Sequence, residues 1–405
     1  YIDNLNTNFY LLYKILKIGG KFMKALIAID SFKGSLTSLE AGESVALGIK
    51  RVFNNAITDV HALADGGEGT VEALTTGCNG TFVNVTVTGP VGKPVNCQYG
   101  IVPSTNTAII EMSGAAGITL VNDNEKNPLN TTTYGVGEVI KDAIEKGCRR
   151  FIIGIGGSAT NDGGIGMLQA LGFGLLDKDN KQVSFGAKGL NELEYITNNN
   201  VIPQLKECEF IVACDVNNPL CGENGCSAIF GPQKGADPTM IMQMDKWLAY
   251  YAKLAKEKYP LANAKASGAG AAGGLGFALL TFLNATLQSG IDIVLNETRL
   301  EEYIKTADIV ITGEGRLDGQ TVMGKAPIGV ARLAKKYNIP VIAFSGCVTK
   351  DAVKCNEAGI DAFFPVLRSV VTLEEAMNTQ NAYNNMADTA EQVFRVINTF
   401  NTIKL

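Results

Sequence analysis

From residue 23 onward the chain alternates short, continuously apolar runs with longer segments whose apolar residues recur at helical spacing. Lys24-Ala25-Leu26-Ile27-Ala28-Ile29 has the unbroken hydrophobicity of a strand buried on both faces, as in parallel sheets. It stops at the turn Asp30-Ser31-Phe32-Lys33-Gly34-Ser35. A helix follows over about 38–52, with Leu39, Val45, Ala46, Ile49 and Val52 on its apolar face. A second strand reaches Leu63 and stops at Ala64-Asp65-Gly66-Gly67-Glu68-Gly69-Thr70, before another helix.

The middle of the chain has a different rhythm. Residues 82–88 alternate, Gly89-Pro90-Val91-Gly92-Lys93-Pro94 turns the chain, and 95–102 alternate again, which predicts an antiparallel hairpin. Strands are expected at 108–112, 150–153 and 209–214, and helices at 133–146 and 165–171. The C-terminal third returns to simple alternation. Strands are expected at 308–312, 340–344 and near 362–364, with helices at 326–337, to about 358, and from Leu373 onward. Two βα regions flanking a mixed middle predict an α/β fold of two domains. One is discontinuous, 23–80 and 290–405, with a largely parallel sheet; the other, 81–289, is inserted with a mixed sheet.

Composition narrows the function. The 405 residues suffice for two or three domains with buried cores. Glycine contributes 45 of them, in patches beside apolar runs. The net charge is −5 and the basic residues are dispersed, which excludes a nucleic-acid footprint or a polybasic membrane patch. No run approaches the roughly 20 apolar residues of a membrane helix. The nine cysteines lack paired spacing, which fits free thiols in a reducing cytoplasm. His61, the only histidine, sits in a predicted strand and reads as structural, so any acid or base is a carboxylate or lysine. Residues 1–22 read as a leader or non-native extension, with translation expected to begin at Met23. Ile18-Gly19-Gly20 shortly before Met23 resembles a ribosome-binding sequence read as protein.

The candidate chemistry collects at predicted strand ends, where open α/β sheets bind ligands. Gly154-Ile155-Gly156-Gly157-Ser158-Ala159-Thr160-Asn161-Asp162-Gly163-Gly164 follows one strand and precedes a helix, an arrangement suited to phosphate. Its Gly154-x-Gly156-x-x-Ala159 also satisfies a dinucleotide fingerprint, with Asp177 near the expected acidic position. Four further ends are polar and rich in turn residues: 30–34, 65–69, 215–218 and 312–319. Together they supply what phosphoryl transfer needs: cations, backbone N–H groups, acids for Mg²⁺ and a carboxylate for the attacking hydroxyl. Lys33, Arg316 and Lys325 are candidate phosphate clamps. Asp65, Glu68, Asp162, Glu314 and Asp318 are candidate metal or hydroxyl ligands. Lys325 stands at a helix start, where a cation opposes the dipole and invites an anionic partner. A second glycine cluster, 267–276, reads as packing. Neither a Walker A sequence nor a protein-kinase catalytic loop is present. An NAD-dependent dehydrogenase and a small-molecule sensor stay open as alternatives.

Seven segments in order resemble the glycerate kinase family of the bacterial glycerate 2-kinase type: 30–35, 64–70, 154–164, 213–220, 230–235, 268–276 and 311–321. The resemblance runs from Met23 to about Val396; Ile29 stands where the family commonly has proline. It implies ATP-dependent phosphorylation of D-glycerate to 2- or 3-phosphoglycerate, by a cytoplasmic enzyme without nucleic-acid or membrane partners, as monomer or homodimer. It also implies two α/β domains, one Rossmann-like, with the active site in the cleft between them. On that reading the turn residues Gly156, Gly157, Ser158, Ala159, Thr160 and Asn161 would hold ATP phosphates. Lys33 and Arg316 would neutralise developing charge, and Asp65, Glu68 and Glu314 would hold Mg²⁺. Asp215 or Asp318 would accept the hydroxyl proton, and Ser31, Lys234 and Lys325 would meet glycerate.

Overall fold

The computed structural model describes residues 23–402; the expected leader, 1–22, lies outside them. The chain forms two compact units, one of residues 23–65 and 291–402, the other Gly66–Gly290. The first border therefore falls earlier than the expected 80/81. Helix Thr70–Gly77 packs on strand Pro94–Val102 of the inserted unit, so closely that a Cβ on Gly100 would come within 1.8 Å of Thr75 Oγ1.

The first unit holds a five-stranded sheet in the spatial order Ala362–Pro365, Val341–Val348, Ile309–Leu317, Lys24–Ile29, Ile57–Ala62. Every neighbouring pair is parallel. Counted along the unit, this is the doubly wound order 2-1-3-4-5, which switches direction between Lys24–Ile29 and Ile309–Leu317. Helix Ser38–Lys50 starts at a capping box, Thr37 Oγ1 accepting the Glu40 N–H and Glu40 Oε2 accepting the Thr37 N–H. Ser38 Oγ donates to Ile29 O at 2.5 Å and accepts the Leu63 N–H at 2.7 Å, tying the helix start to two strand ends. Ala41, Val45 and Ile49 pack in one core with Ala382, Met386, Ala390 and Phe394 of Thr379–Thr402.

Two expectations for this unit change. The strand predicted at 308–312 continues to Leu317, pairing along Val341–Val348, because Gly313 admits the Phe344 carbonyl where a Cβ would sit 2.0 Å away. The helix expected from Leu373 is two helices, Leu373–Met377 and Thr379–Thr402; Asn378 leaves helical geometry and its Oδ1 accepts the Asn381 N–H.

The inserted unit holds a six-stranded sheet: Thr286–Gln288, Glu209–Ala213, Arg150–Gly154, Thr107–Glu111, Pro94–Val102, Thr81–Thr88. The first four run parallel and the last two form the expected antiparallel hairpin. A two-stranded ribbon, Gly174–Leu176 with Tyr195–Thr197, stands apart. Among the described residues no helix is long and apolar enough to cross a membrane. All nine cysteines are free thiols.

Candidate active site

The switch in strand order leaves a crevice beyond the carboxyl ends of Lys24–Ile29 and Ile309–Leu317, the usual ligand position in such sheets. A cavity of about 420 Å³ opens there, and Ser31, Lys33, Asp65, Glu314, Arg316, Asp318 and Lys325 all line it. Seven residues selected from the sequence are thus brought to one wall system within the first unit.

Backbone geometry sets each of them. The Asp30 N–H donates to Gly313 O at 2.9 Å, so the chain leaves the sheet beside the neighbouring strand. Asp30 Oδ1 accepts the Ser31 N–H at 2.8 Å, and Gly34 takes φ 76°, closing the turn that presents Lys33 to solvent. Glu314 is buried on its strand, accepting Thr321 Oγ1 at 2.6 Å and standing 3.4 Å from Lys325 Nζ. Lys325 is the N-cap of helix Ala326–Lys335, and the anion it meets there is this carboxylate of the protein itself. Asp318 Oδ1 accepts the Gln320 N–H, and its Oδ2 lies 3.4 Å from Arg316 Nε.

The acids feel one another. Burial, and after it the charge of Asp65, pushes the Asp30 carboxyl from about 3.8 up to about 7; Glu314 adds to the rise, while the Ser31 N–H and Lys33 oppose it. Burial likewise raises Glu314, against Thr321 and Lys325. Asp30, which opens the turn 30–35 and carries no expected role, is therefore part of the site. Its signal was the same strand-end position that singled out Asp65.

The expected metal set is not assembled. Glu68 is exposed on the inserted unit, near Glu111, and does not line the cavity. Among the described residues no three His, Cys, Asp or Glu side chains form a metal cage. Glu111, missed in the sequence, closes strand Thr107–Glu111 and accepts the Val71 N–H at 2.8 Å. An acid ending an apolar run was the available signal.

The glycine-rich turn, 154–164, is built differently from the expectation. Only Gly156 and Gly157 of the six proposed phosphate ligands are exposed; Ser158, Ala159, Thr160 and Asn161 are buried. The Ala159 N–H is spent on Ala116 O. Asp162 is wholly buried and accepts from Thr133 N and Oγ1, Gly164 N and Gly166 N, so its carboxylate already fills the anion position at helix Ile165–Ala170. It is a structural cap, not a metal or hydroxyl ligand. Asp177 accepts the Asp179 and Lys181 N–H groups in a hairpin turn. Both features remove the dinucleotide reading.

The glycines have a packing cause. A Cβ on Gly273 would meet Thr160 O at 2.1 Å and one on Gly274 would meet Gly163 Cα at 2.8 Å, so the two glycine clusters lie backbone against backbone. Lys234 is 2 % exposed and donates to Ser158 Oγ at 2.8 Å and Thr160 O at 2.6 Å. Burial lowers its amine to about 8. It braces the turn and is sealed from any glycerate carboxylate. Asp215 is exposed at the end of strand Glu209–Ala213, with Oδ1 accepting the Gly290 N–H at 3.2 Å. His61 is half-buried against Tyr303, ring centroids 4.2 Å apart, with its pKa lowered by burial, consistent with a structural role.

Comparison with known proteins adds an independent line. The profile of the glycerate kinase family matches residues 25–398. A glycerate kinase of Haemophilus influenzae is 48% identical over 375 residues, 93% of this chain and 99% of that one. A glycerate 2-kinase of Escherichia coli K12 is 47% identical over 371 residues, 92% and 97% of the two chains. The crystal structure of a candidate glycerate kinase 2 from Salmonella typhimurium LT2 superposes with a TM-score of 0.85 at 44% identity, covering 95% of this chain and 100% of that one.

Proposed function

The chain belongs to the glycerate kinase family, and on that premise we propose that it transfers the terminal phosphoryl group of ATP to D-glycerate, giving 2-phosphoglycerate and ADP. The observation that carries the reading is the convergence of Ser31, Lys33, Asp65, Glu314, Arg316, Asp318 and Lys325 on one cavity at the switch point of a doubly wound sheet. The 2-position is favoured over the 3-position by the E. coli relative named a glycerate 2-kinase. Nine free thiols support work in a reducing cytoplasm.

Phosphoryl transfer is catalysed mainly by positioning and charge. Lys33 and Arg316 are the exposed cations of the cavity and would stabilise charge on the transferring oxygens. Ser31, whose Oγ is buried without a partner among the described residues, would join Lys325 in holding glycerate. Asp65 and Glu314 would hold Mg²⁺; their hard oxygens and the mutual repulsion with Asp30 fit a divalent cation. Such a cation supplies charge neutralisation. Asp215 or Asp318 would take the hydroxyl proton; Asp318 lines the cavity, and Asp215 ends a parallel strand of the inserted unit.

A coupled assay with ATP, Mg²⁺ and D-glycerate tests the reading: ADP should appear only when glycerate is present, and phosphorus NMR should place the new ester at the 2-position. ADP release without glycerate, or NADH formation from NAD, would overturn it.

A further inference from the structure

The cavity of the first unit is larger and more apolar on one side than a three-carbon acid requires. Beyond the charged wall it is bounded by Phe32, Val366, Leu373, Ala376 and Met377, with the Asn385 amide among them. Binding pockets of about 300–1,000 Å³ take ligands of drug size, and their walls are apolar with a few placed polar groups. At about 420 Å³ this cavity matches a nucleotide. Glycerate offers no apolar surface to this side of it.

We propose that the apolar half of this cavity is the nucleoside site, with the phosphates directed toward Lys33 and Arg316, and that the glycine-rich turn 154–164 is not the nucleotide-binding element.

Three independent features support the assignment. Leu373 is 78 % exposed and Met377 37 %, large apolar side chains at the cavity that a base would cover. Ser35 lines the cavity, and its hydroxyl is buried without a hydrogen-bond partner among the described residues, an unsatisfied group that costs free energy. The walls are held in place before any ligand arrives: Thr379 Oγ1 donates to Ser35 O at 2.9 Å, and a Cβ on Gly34 would stand 3.1 Å from Met377 Cε. Asn385 supplies one donor and one acceptor, the pair a purine edge requires. The turn 154–164, by contrast, has its helix start filled by Asp162 and its Ala159 N–H occupied.

The identity of the ligand as an adenine nucleotide rests on the kinase reading; the position of the site does not depend on turnover. The test uses the whole chain. Photolabelling with 8-azido-ADP, followed by peptide mass mapping, should mark the segment 366–385. Calorimetric titration with ADP should show the dissociation constant rising by at least about tenfold in Ala376→Trp, which fills the apolar half. Leu373→Glu, at an exposed position, is the second variant should Ala376→Trp fail to fold. Label on 154–164, no ADP binding by the unaltered protein, or unchanged ADP affinity in a folded variant each overturns the proposal. Label on 366–385 in a protein that fails to phosphorylate D-glycerate supports this site and removes the proposed activity instead.

Discussion

Asp162 binds Thr133 twice, its Oδ2 accepting the backbone N–H at 2.8 Å and the hydroxyl at 2.9 Å. The same residue takes the Gly164 N–H on Oδ1, and Thr133 Oγ1 in turn accepts the Met167 N–H at 3.0 Å. A helix start that reads in sequence as an anion site is therefore satisfied by a carboxyl group of the protein, whose pKa burial raises. Buried donors that lose such an acceptor cost about 1–3 kcal/mol each.

Asp162→Ala should lower the unfolding free energy by roughly 3 kcal/mol or more, since several buried donors lose their partner together. Urea denaturation of the variant checks this. Stability within about 0.5 kcal/mol of the parent would contradict the capping role.

Asp30 makes stability depend on pH in a defined direction. Its folded value, about 7, lies above its ordinary 3.8. Between those values the folded chain keeps a proton that the unfolded chain has released. Stability therefore falls as pH rises through this window, and the penalty is complete above the folded value. Asp30→Asn removes it. The variant should gain melting temperature relative to the parent on going from pH 5 to pH 8, measured without ligand; a gain that shrinks over that range contradicts the assignment.

Much of the fold was legible because parallel strands buried on both faces leave unbroken apolar runs; Lys24–Ile29 is found at its expected bounds. Strand ends were legible as chemistry because Asp65, Glu314 and Lys33 keep polar groups where a sheet would otherwise simply stop. Three features were not. The extension of Ile309–Leu317 through Gly313-Glu314-Gly315 looks like a turn, since glycine permits either and only the Phe344 carbonyl across the sheet decides. The burial of Lys234 depends on partners 74 and 76 residues away in sequence. The glycine clusters at 154–164 and 268–276 carry no local sign that each is the other's packing partner.

Lys33 and Arg316 are exposed, and Arg316 Nε stands 3.4 Å from Asp318 Oδ2. Removing a group that stabilises transition-state charge costs about 10²–10³ in kcat. Lys33→Ala and Arg316→Ala should each lose activity of that order while melting close to the parent, because neither side chain is buried. Steady-state kinetics beside thermal melting separates this from a folding defect. Near-normal kcat in both variants would remove the cavity from the chemistry.

Two carboxylates compete for the hydroxyl proton. Asp318 lines the cavity, held by the Gln320 N–H and standing 3.4 Å from Arg316 Nε. Asp215 stands exposed at the end of a parallel strand, with one oxygen turned to the Gly290 N–H that opens helix Gly290–Glu297. General-base contributions are typically 10²–10⁴-fold. Asp215→Asn should therefore lower kcat for D-glycerate by about that factor and leave ADP affinity within about twofold, because the change removes a proton acceptor and not a binding contact. Asp318→Asn should lower kcat less and act more on nucleotide KM, through the freed Arg316. Single-turnover kinetics of both variants decides between them: the larger loss of the chemical step in Asp318→Asn would transfer the base to the first unit, and near-normal turnover in both would remove carboxylate base catalysis from either position.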